Sequence, residues 1–183
     1  LMAGLIAALI GALLALPALR LKGHYISIAT LGLGEIVNQF ILNADALTQG
    51  PMGLAGIPAP RIFGLDIVKV GDFYWLALAV LIVSGLILAA VMASPLGRTV
   101  RGLREDETAG RALGIWPGQY RGLIFAISAF FAGLAGALTA HLYTYISYET
   151  FGSNLSVLGL TMVILGGLGN LWGALLGALV LSG

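Results

Sequence analysis

The sequence predicts an all-α integral membrane protein with about five transmembrane segments. Two observations predict this class. Of the 183 residues, 59% are hydrophobic and only 9% are charged, and the mean hydropathy is +1.00. A soluble domain carries about 25% charged residues, so this chain has too little polar surface for water. The apolar residues also fall into runs of roughly 20, the length that a helix needs to cross a bilayer.

Five apolar runs follow one another along the chain and cover residues 1–19, 25–42, 73–93, 123–142 and 155–181. The sequence TLGLGE interrupts the second run. The fifth run would be about 40 Å long as one helix and is interrupted by GGLGN. We therefore expect these two segments to be broken or to consist of half-helices, with a tilted or kinked span as the alternative for the fifth.

Lysine and arginine predict the orientation, because cytoplasmic loops carry an excess of both. The loop 94–121 carries five arginines, whereas the loops 43–72 and 143–154 together carry one arginine and one lysine. We predict that 94–121 is cytoplasmic, that 43–72 is an external loop, and that residues 1–183 form a single transmembrane domain. Both ends of the chain lie in apolar runs, so we expect it to be part of a longer protein.

The composition argues against several chemistries. The chain has no cysteine, and its two histidines, His24 and His141, have no carboxylate at ligand spacing, so we expect no metal site. GLGNLWG superficially resembles a phosphate loop, but it lacks the preceding strand and the lysine that such a loop uses. We expect no catalytic residue, no cofactor and no ATP hydrolysis by this chain, and no basic run indicates nucleic acid.

Small residues recur every four positions in the two later runs: Ala129, Gly133 and Ala137 in one, and Gly169, Gly173 and Gly177 in the other. Such stripes allow helix backbones to approach closely within a membrane. They predict helix packing rather than a ligand site.

Glu35 is the one acid inside an apolar run. A carboxylate at membrane depth is costly unless it faces a cavity, a partner or a helix N-terminus. Neighbouring glycines would let the helix open around a ligand, whereas the simpler alternative is a carboxylate that only fixes packing near an interface. The candidate translocation path comprises Thr30, Gly32, Gly34, Glu35, Asn38, Gly166, Gly167, Gly169 and Asn170.

The stretch 98–122 holds eight of the seventeen charged residues of the chain. Ser94 followed by Pro95 can begin a helix, the three acids at 105–107 suit the start of a helix, and Gly114 suits its end. The segment is either a solvated loop whose arginines set topology or a rigid element that docks into another protein. The charge run alone favours the solvated loop.

Four blocks, in order, resemble the LivM-type permease of bacterial branched-chain amino acid ABC importers: ALRLKGHYISIATLGLGEIV, LTQGPMGLAGIP, REDETAGRALGIWPGQYRGLIFAISAFFAGLAGALTAHLYTYISYETF and LTMVILGGLGNLWGALLGALVL. The resemblance implies a multi-pass permease of the bacterial inner membrane that works by alternating access and is not itself an enzyme. It implies separate ATPase subunits, a sister permease and an external solute-binding protein that docks on the external loops.

Permeases of this kind carry a cytoplasmic EAA loop, and its coupling helix sits in a groove of the ATPase. The similar residues here are Glu107, Ala109, Gly110 and Gly114, although the acid stands one place early and Gly110 replaces the second alanine. Which of the three neighbouring acids contacts the ATPase stays open. The coupling site that the resemblance implies comprises Arg104, Glu105, Asp106, Glu107, Ala109, Gly110, Arg111 and Gly114.

Two alternatives remain at this point. A permease for urea or short amides would share the same blocks. A secondary transporter or channel would need no ATPase, but it would require a coupling-ion site with several buried acids or a ring of carbonyls. Only Glu35 is available for such a site in this sequence.

Overall fold

In the computed structural model, the described residues are 2–18, 25–44, 48–58, 61–62, 65–66, 70–167 and 169–182. Arg20, Lys22 and His24, which precede the second apolar run, lie outside these residues. Eight α-helices occur in the described part: α1 (Met2–Ala18), α2 (Tyr25–Asn43), α3 (Val70–Ala93), α4 (Pro95–Glu105), α5 (Glu107–Ala112), α6 (Pro117–Tyr143), α7 (Ser153–Gly166) and α8 (Leu171–Ser182).

Short antiparallel strand pairs lie in the loops. Strand β1 (Leu54–Ala55) pairs with β4 (Tyr145–Ile146), and β2 (Arg61–Ile62) pairs with β3 (Leu65–Asp66). Helices otherwise account for the architecture, so the predicted all-α class is confirmed.

Three helical stretches in the described part are long and apolar enough to cross a membrane: Gly71–Ala93, Pro117–Tyr143 and Glu149–Gly166. Shorter apolar helices cover Met2–Leu13 and Leu171–Leu181. Among the described residues, Phe73 is the only large apolar side chain that is buried, whereas side chains such as Leu86 and Val180 are exposed. An apolar surface of this extent requires lipid. The protein is a multi-pass membrane protein.

The chain divides into two compact units. The first contains Leu1–Thr30 and Ile57–Thr144, and the second contains Leu31–Gly56 and Tyr145–Gly183. In the first unit, α1 packs antiparallel along α6, because Gly11 faces Ala129 whereas Ala7 faces Gly133 further along α6. The predicted packing role of the small residues on α6 is confirmed at these two positions.

Helix α6 is the long axis of the first unit. It begins at Pro117, six residues before the predicted apolar run, because Pro117 starts the helix and its first turns are polar. Its 27 residues span about 40 Å. At its far end, His141 Nδ1 donates to the carbonyl oxygen of Pro58 over 2.9 Å, and the N–H of Ile57 donates to the carbonyl of Thr144 over 3.2 Å.

In the second unit, the fifth apolar segment is broken into two helices that form a hairpin. A Cβ atom on Gly177 would strike the carbonyl oxygen of Met162, and one on Gly173 would strike that of Gly166. Because later residues of α8 meet earlier residues of α7, the two helices are antiparallel. The prediction of two half-helices is confirmed, and the chain reverses between them rather than continuing as a kinked span.

The GPMG sequence of the 43–72 loop forms a turn. Gly50–Met52 is a short 3-10 helix, entered through Gln49 with a φ of 57°. The hydroxyl of Tyr145 donates to the carbonyl oxygen of Met52 over 3.1 Å, beside the β1–β4 pair. These contacts fix the loop to the turn that follows α6.

Candidate functional site

The predicted cytoplasmic loop 94–121 is folded in the structure, and its residues 94–116, which precede α6, form the charged segment. Ser94 stands at the N-cap position of α4 and Pro95 at its first position, as the sequence predicts. The Ser94 hydroxyl, however, donates back to the carbonyl of Val91 over 2.6 Å instead of capping α4. A Cβ on Gly97 would collide with Met92, so α4 turns closely against the end of α3.

Asp106 divides the charged segment into two helices. Its backbone is extended, with φ −147° and ψ 104°, which ends α4. Its Oδ1 accepts hydrogen bonds from the backbone N–H groups of Thr108 (2.8 Å) and Ala109 (3.0 Å), so the same residue caps α5. Glu105 therefore lies at the C-terminal end of α4, and the expectation that all three acids begin one helix is wrong for Glu105.

Gly114 ends α5, as the sequence predicts. Its φ is +77°, its N–H donates to the carbonyl of Arg111 over 3.0 Å, and the N–H of Ile115 donates to the carbonyl of Gly110 over 3.0 Å. This is the Schellman arrangement, in which a left-handed residue closes the last carbonyls of a helix. The chain then turns into α6 through Trp116.

Glu107 is the centre of the ionic contacts in the charged segment. Its Oε1 accepts a hydrogen bond from Arg111 Nη2 at 2.6 Å, one turn further along α5, and its Oε2 accepts one from Arg121 Nη2 at 2.6 Å on α6. The hydrogen bond from Arg111 and the charge of Arg121 hold the pKa of Glu107 below its ordinary value, although partial desolvation opposes them.

Gly110 explains how α5 rests on α4. It is buried, and a Cβ there would overlap the side chain of Leu103. The glycine that replaces the second alanine of the EAA pattern therefore permits a close contact between the two helices. Helix α5 is attached to α4 by this apolar contact and to α6 by the Glu107–Arg121 ion pair.

The outward face of the charged segment combines charge with two large apolar side chains. Arg104, Glu105 and Arg111 are exposed, and Leu113 and Trp116 are 80% and 74% exposed. In the described part of the chain, Glu105 has no hydrogen-bond or ion-pair partner, in contrast to Asp106 and Glu107. This face offers both ionic and apolar contacts to a partner.

The structure brings together the predicted coupling residues but adds one that the sequence reasoning missed. Arg121 was not among them, because it stands 14 residues after Glu107 and beyond the helix that the acids suggested. The sequence feature that could have indicated Arg121 is its position, since it is the one arginine on α6.

The first half of the candidate path lies on one unbroken helix. Helix α2 runs without a break from Tyr25 to Asn43, so the expectation that the second apolar segment is broken at Gly32 and Gly34 is wrong. A Cβ on either glycine would meet nothing within 4 Å. Glu35 is exposed and accepts a hydrogen bond from Gln39 Nε2 at 3.5 Å, a residue one turn away that the sequence reasoning did not single out.

The second half of the path forms the turn between α7 and α8. Gly167 and Gly169 have φ values of 97° and 92°, which favour glycine. Asn170 Oδ1 accepts from the backbone N–H of Trp172 at 3.1 Å and so caps α8. Within the described residues, no extensive packing joins α2 to α7 or α8.

The comparisons with known proteins agree with the fold. Residues 1–183 match the family described as branched-chain amino acid transport system / permease component. The chain is 38% identical, over 98% of its own length, to the high-affinity branched-chain amino acid transport system permease protein LivM of Escherichia coli K12. It covers 48% of that protein.

Two further transport permeases are also similar in sequence to this chain. The probable branched-chain amino acid transport permease protein LivM of Methanocaldococcus jannaschii is 30% identical over 97% of this chain and 52% of the relative. The permease protein LivH of Escherichia coli K12 is 34% identical over 49% of this chain and 29% of the relative. No solved structure matches the chain significantly. These relatives are named as transport permeases, not as enzymes, and this chain spans about half of LivM. Since the family matches the full chain, the chain belongs to the permease components of branched-chain amino acid transport systems.

Proposed function

We propose that the chain is part of a membrane-spanning subunit of an ATP-binding-cassette importer that moves branched-chain amino acids into the cytoplasm by alternating access. The observation that carries the proposal is the folded charged segment, which is attached to α6, in a chain that matches the permease family throughout. ATP hydrolysis belongs to separate ATPase subunits, and the membrane is the bacterial inner membrane.

The orientation follows from the two ends of α6. Arg121 near its start contacts the charged segment, and His141 near its end contacts the 43–72 loop. The two residues are 20 positions apart, or about 30 Å along a helix, which is close to the thickness of the hydrocarbon core. This separation supports opposite sides of the membrane for the charged segment and the 43–72 loop. The excess of arginine in the charged segment supports the cytoplasm as its side, and therefore an external 43–72 loop.

The charged segment is suited to transmit a movement. Helix α4 leaves α3 through the close turn at Gly97, and α5 is attached to α6 by an ion pair. An ATPase dimer that closes on ATP and holds this segment would therefore displace the ends of two spans. The exposed Leu113 and Trp116, with the charges around them, form the surface offered to the ATPase.

The remaining components are inferred from kinship and position. The similarity to LivH supports a homologous sister permease, and the external loop would receive a solute-binding protein. The similarity to LivM supports leucine, isoleucine or valine as the solute. Residues around Glu35 on α2 and the α7–α8 turn remain the proposed path, to be rearranged as the spans move.

Uptake by the complete transporter in proteoliposomes tests this function. We expect labelled leucine, isoleucine or valine to accumulate only with the ATPase subunits, ATP and the binding protein, and labelled urea not to accumulate. Gly114→Pro should abolish uptake, because proline cannot adopt the positive φ of this residue. Gly118→Ala, at a helical position with open space, is the matched control. Uptake without any ATPase, or urea as the preferred solute, would contradict the proposal.

The path is tested separately. Glu35→Gln keeps the size and the hydrogen-bonding capacity of the side chain but removes its charge, and it should alter the uptake rate if Glu35 lines the path. Gln39→Ala, which removes the neighbouring donor, is the comparison. Unchanged transport by Glu35→Gln would exclude Glu35 from the path without affecting the coupling proposal.

A further inference from the structure

We propose that Glu107 is a positioning residue, which ties α5 to the span α6 through Arg121 and so carries the movement of the charged segment into the membrane. In this proposal Glu107 does not itself contact the ATPase. The inference rests on the proposed function, and it assigns different roles to the three adjacent acids.

Both carboxylate oxygens of Glu107 are already occupied. Oε1 accepts from Arg111 and Oε2 from Arg121, each over 2.6 Å. The Glu107 side chain is only 29% exposed, less than either arginine. A positive group of an ATPase would have to displace these guanidinium groups and leave them without a counter-ion, which is costly.

The two ion pairs differ in what they connect. Arg111 lies one turn from Glu107 on the same helix and is 55% exposed, so that pair supports only α5 itself. Arg121 lies on α6 and is 36% exposed. Only the second pair joins the charged segment to a helix that crosses the membrane.

Helix α5 needs such an attachment, because its six residues are too few to be a stable helix alone. The Asp106 cap and the Gly110–Leu103 contact hold it to α4. In the described part of the chain, Glu107–Arg121 is the one ion pair that joins α5 to α6. Without it, α5 would be connected to α6 through the turn that contains Gly114 and, indirectly, through α4.

The other two acids have separate roles. Asp106 accepts two backbone hydrogen bonds and fixes the start of α5. Glu105 is exposed and lacks a polar partner among the described residues, so it is the acid of the three whose oxygens are open to another protein.

Double-mutant analysis of the complete transporter tests the link. Glu107→Gln, Arg121→Gln, their combination and the control Arg98→Gln are compared in two assays: the affinity of the ATPase subunits for the permease, and the solute moved per ATP hydrolysed. Either change at 107 or 121 should lower the solute moved per ATP about threefold to tenfold, with ATPase affinity within about twofold of wild type. The combined variant should be no worse than either single variant, because both remove the same interaction. Arg98→Gln removes an exposed arginine of α4 that has no ion-pair partner among the described residues, and it should behave like wild type.

A covalent link in place of the Glu107–Arg121 ion pair distinguishes loss of this contact from simple misfolding of the variants. The chain has no cysteine, so a Glu107→Cys, Arg121→Cys variant can be joined specifically by a short bismaleimide. The unlinked variant should be uncoupled, and joining the two positions should restore transport per ATP.

The outcomes separate this inference from the proposed function. If wild-type uptake does not require ATPase, the proposed function fails. If wild type is ATP-driven but Glu107→Gln loses ATPase affinity while Arg121→Gln is normal, Glu107 is an ATPase contact and the inference is overturned. Additive effects of the two changes, or a covalent link that restores nothing, overturn it as well.

Discussion

Gly166 and Gly173 pack backbone against backbone in the α7–α8 hairpin. A Cβ atom placed on either glycine would collide with the carbonyl oxygen of the other. Contact at this distance is possible only because neither residue has a side chain. It allows the chain to reverse within the few residues between the two helices.

Gly173→Ala should therefore destabilise the hairpin. The added methyl group meets backbone, which cannot move aside as a side chain can, so we expect a loss of about 1–3 kcal/mol. The measurement is thermal unfolding of the purified protein in detergent.

Gly159→Ala is the matched control for this prediction. It lies on α7 of the same hairpin, and a Cβ there meets nothing within 4 Å. It should be neutral or slightly stabilising, because alanine favours a helix by up to about 1 kcal/mol over glycine. Equal melting temperatures for the two variants would show that the glycine contact is not needed.

The α7–α8 hairpin also shows how much of the fold could be predicted from the local sequence. The bounds of α1, α2 and α3 follow from apolar length and lie within three residues of the expected ones. The GGLGN sequence indicated an interruption, but a kink and a reversal have the same local signal. They differ only in whether Gly177 meets Met162, which is a contact between distant positions.

The charged segment shows the same limit. Glu105, Asp106 and Glu107 are all acids that can begin a helix, and no glycine or proline marks the division between α4 and α5. The extended backbone at Asp106 sets the division between the two helices. The Glu107–Arg121 pair could not be predicted from helical spacing, because its two residues lie on different helices.

Asp106→Ala should weaken α5. The change removes the side-chain acceptor for two backbone N–H groups, and loss of such a cap costs about 0.5–2 kcal/mol. Hydrogen exchange at Thr108 and Ala109 is the measurement, and protection there should fall severalfold. Asp106→Asn, which keeps an acceptor, should retain most of it, and Glu105→Ala should change nothing. A similar loss of protection in Glu105→Ala would contradict the assignment of the cap.

Acid should release α5 from α6. The arginines lower the pKa of Glu107 from its ordinary value of 4.5, so the folded protein favours the carboxylate. A group with a lowered pKa contributes stability that is fully present above its unfolded pKa and is lost as the pH falls through the folded one. We therefore expect the contribution at neutral pH and its loss below about 4.5.

The test follows hydrogen exchange of residues 107–112 from pH 7 to 3, corrected for intrinsic exchange. Glu107→Gln cannot titrate, so the difference between wild type and this variant isolates the contribution of Glu107 from those of other carboxylates. That difference should shrink as the pH falls. A difference that stays constant over this range would show that the ion pair adds no stability to α5.

Gly114→Ala should loosen the end of α5 because of its backbone conformation and not because of steric crowding. A Cβ at Gly114 meets nothing within 4 Å, yet the residue has a φ of +77°. An L-residue other than glycine pays about 1–2 kcal/mol for this backbone conformation. Trypsin cleavage after Arg111 reports the opening of this turn, and its rate should rise about fivefold or more in the variant. Gly118→Ala, also in open space but at a helical position of α6, should leave the rate unchanged. If cleavage of Gly114→Ala matched wild type, the left-handed cap would not limit the opening of the charged segment.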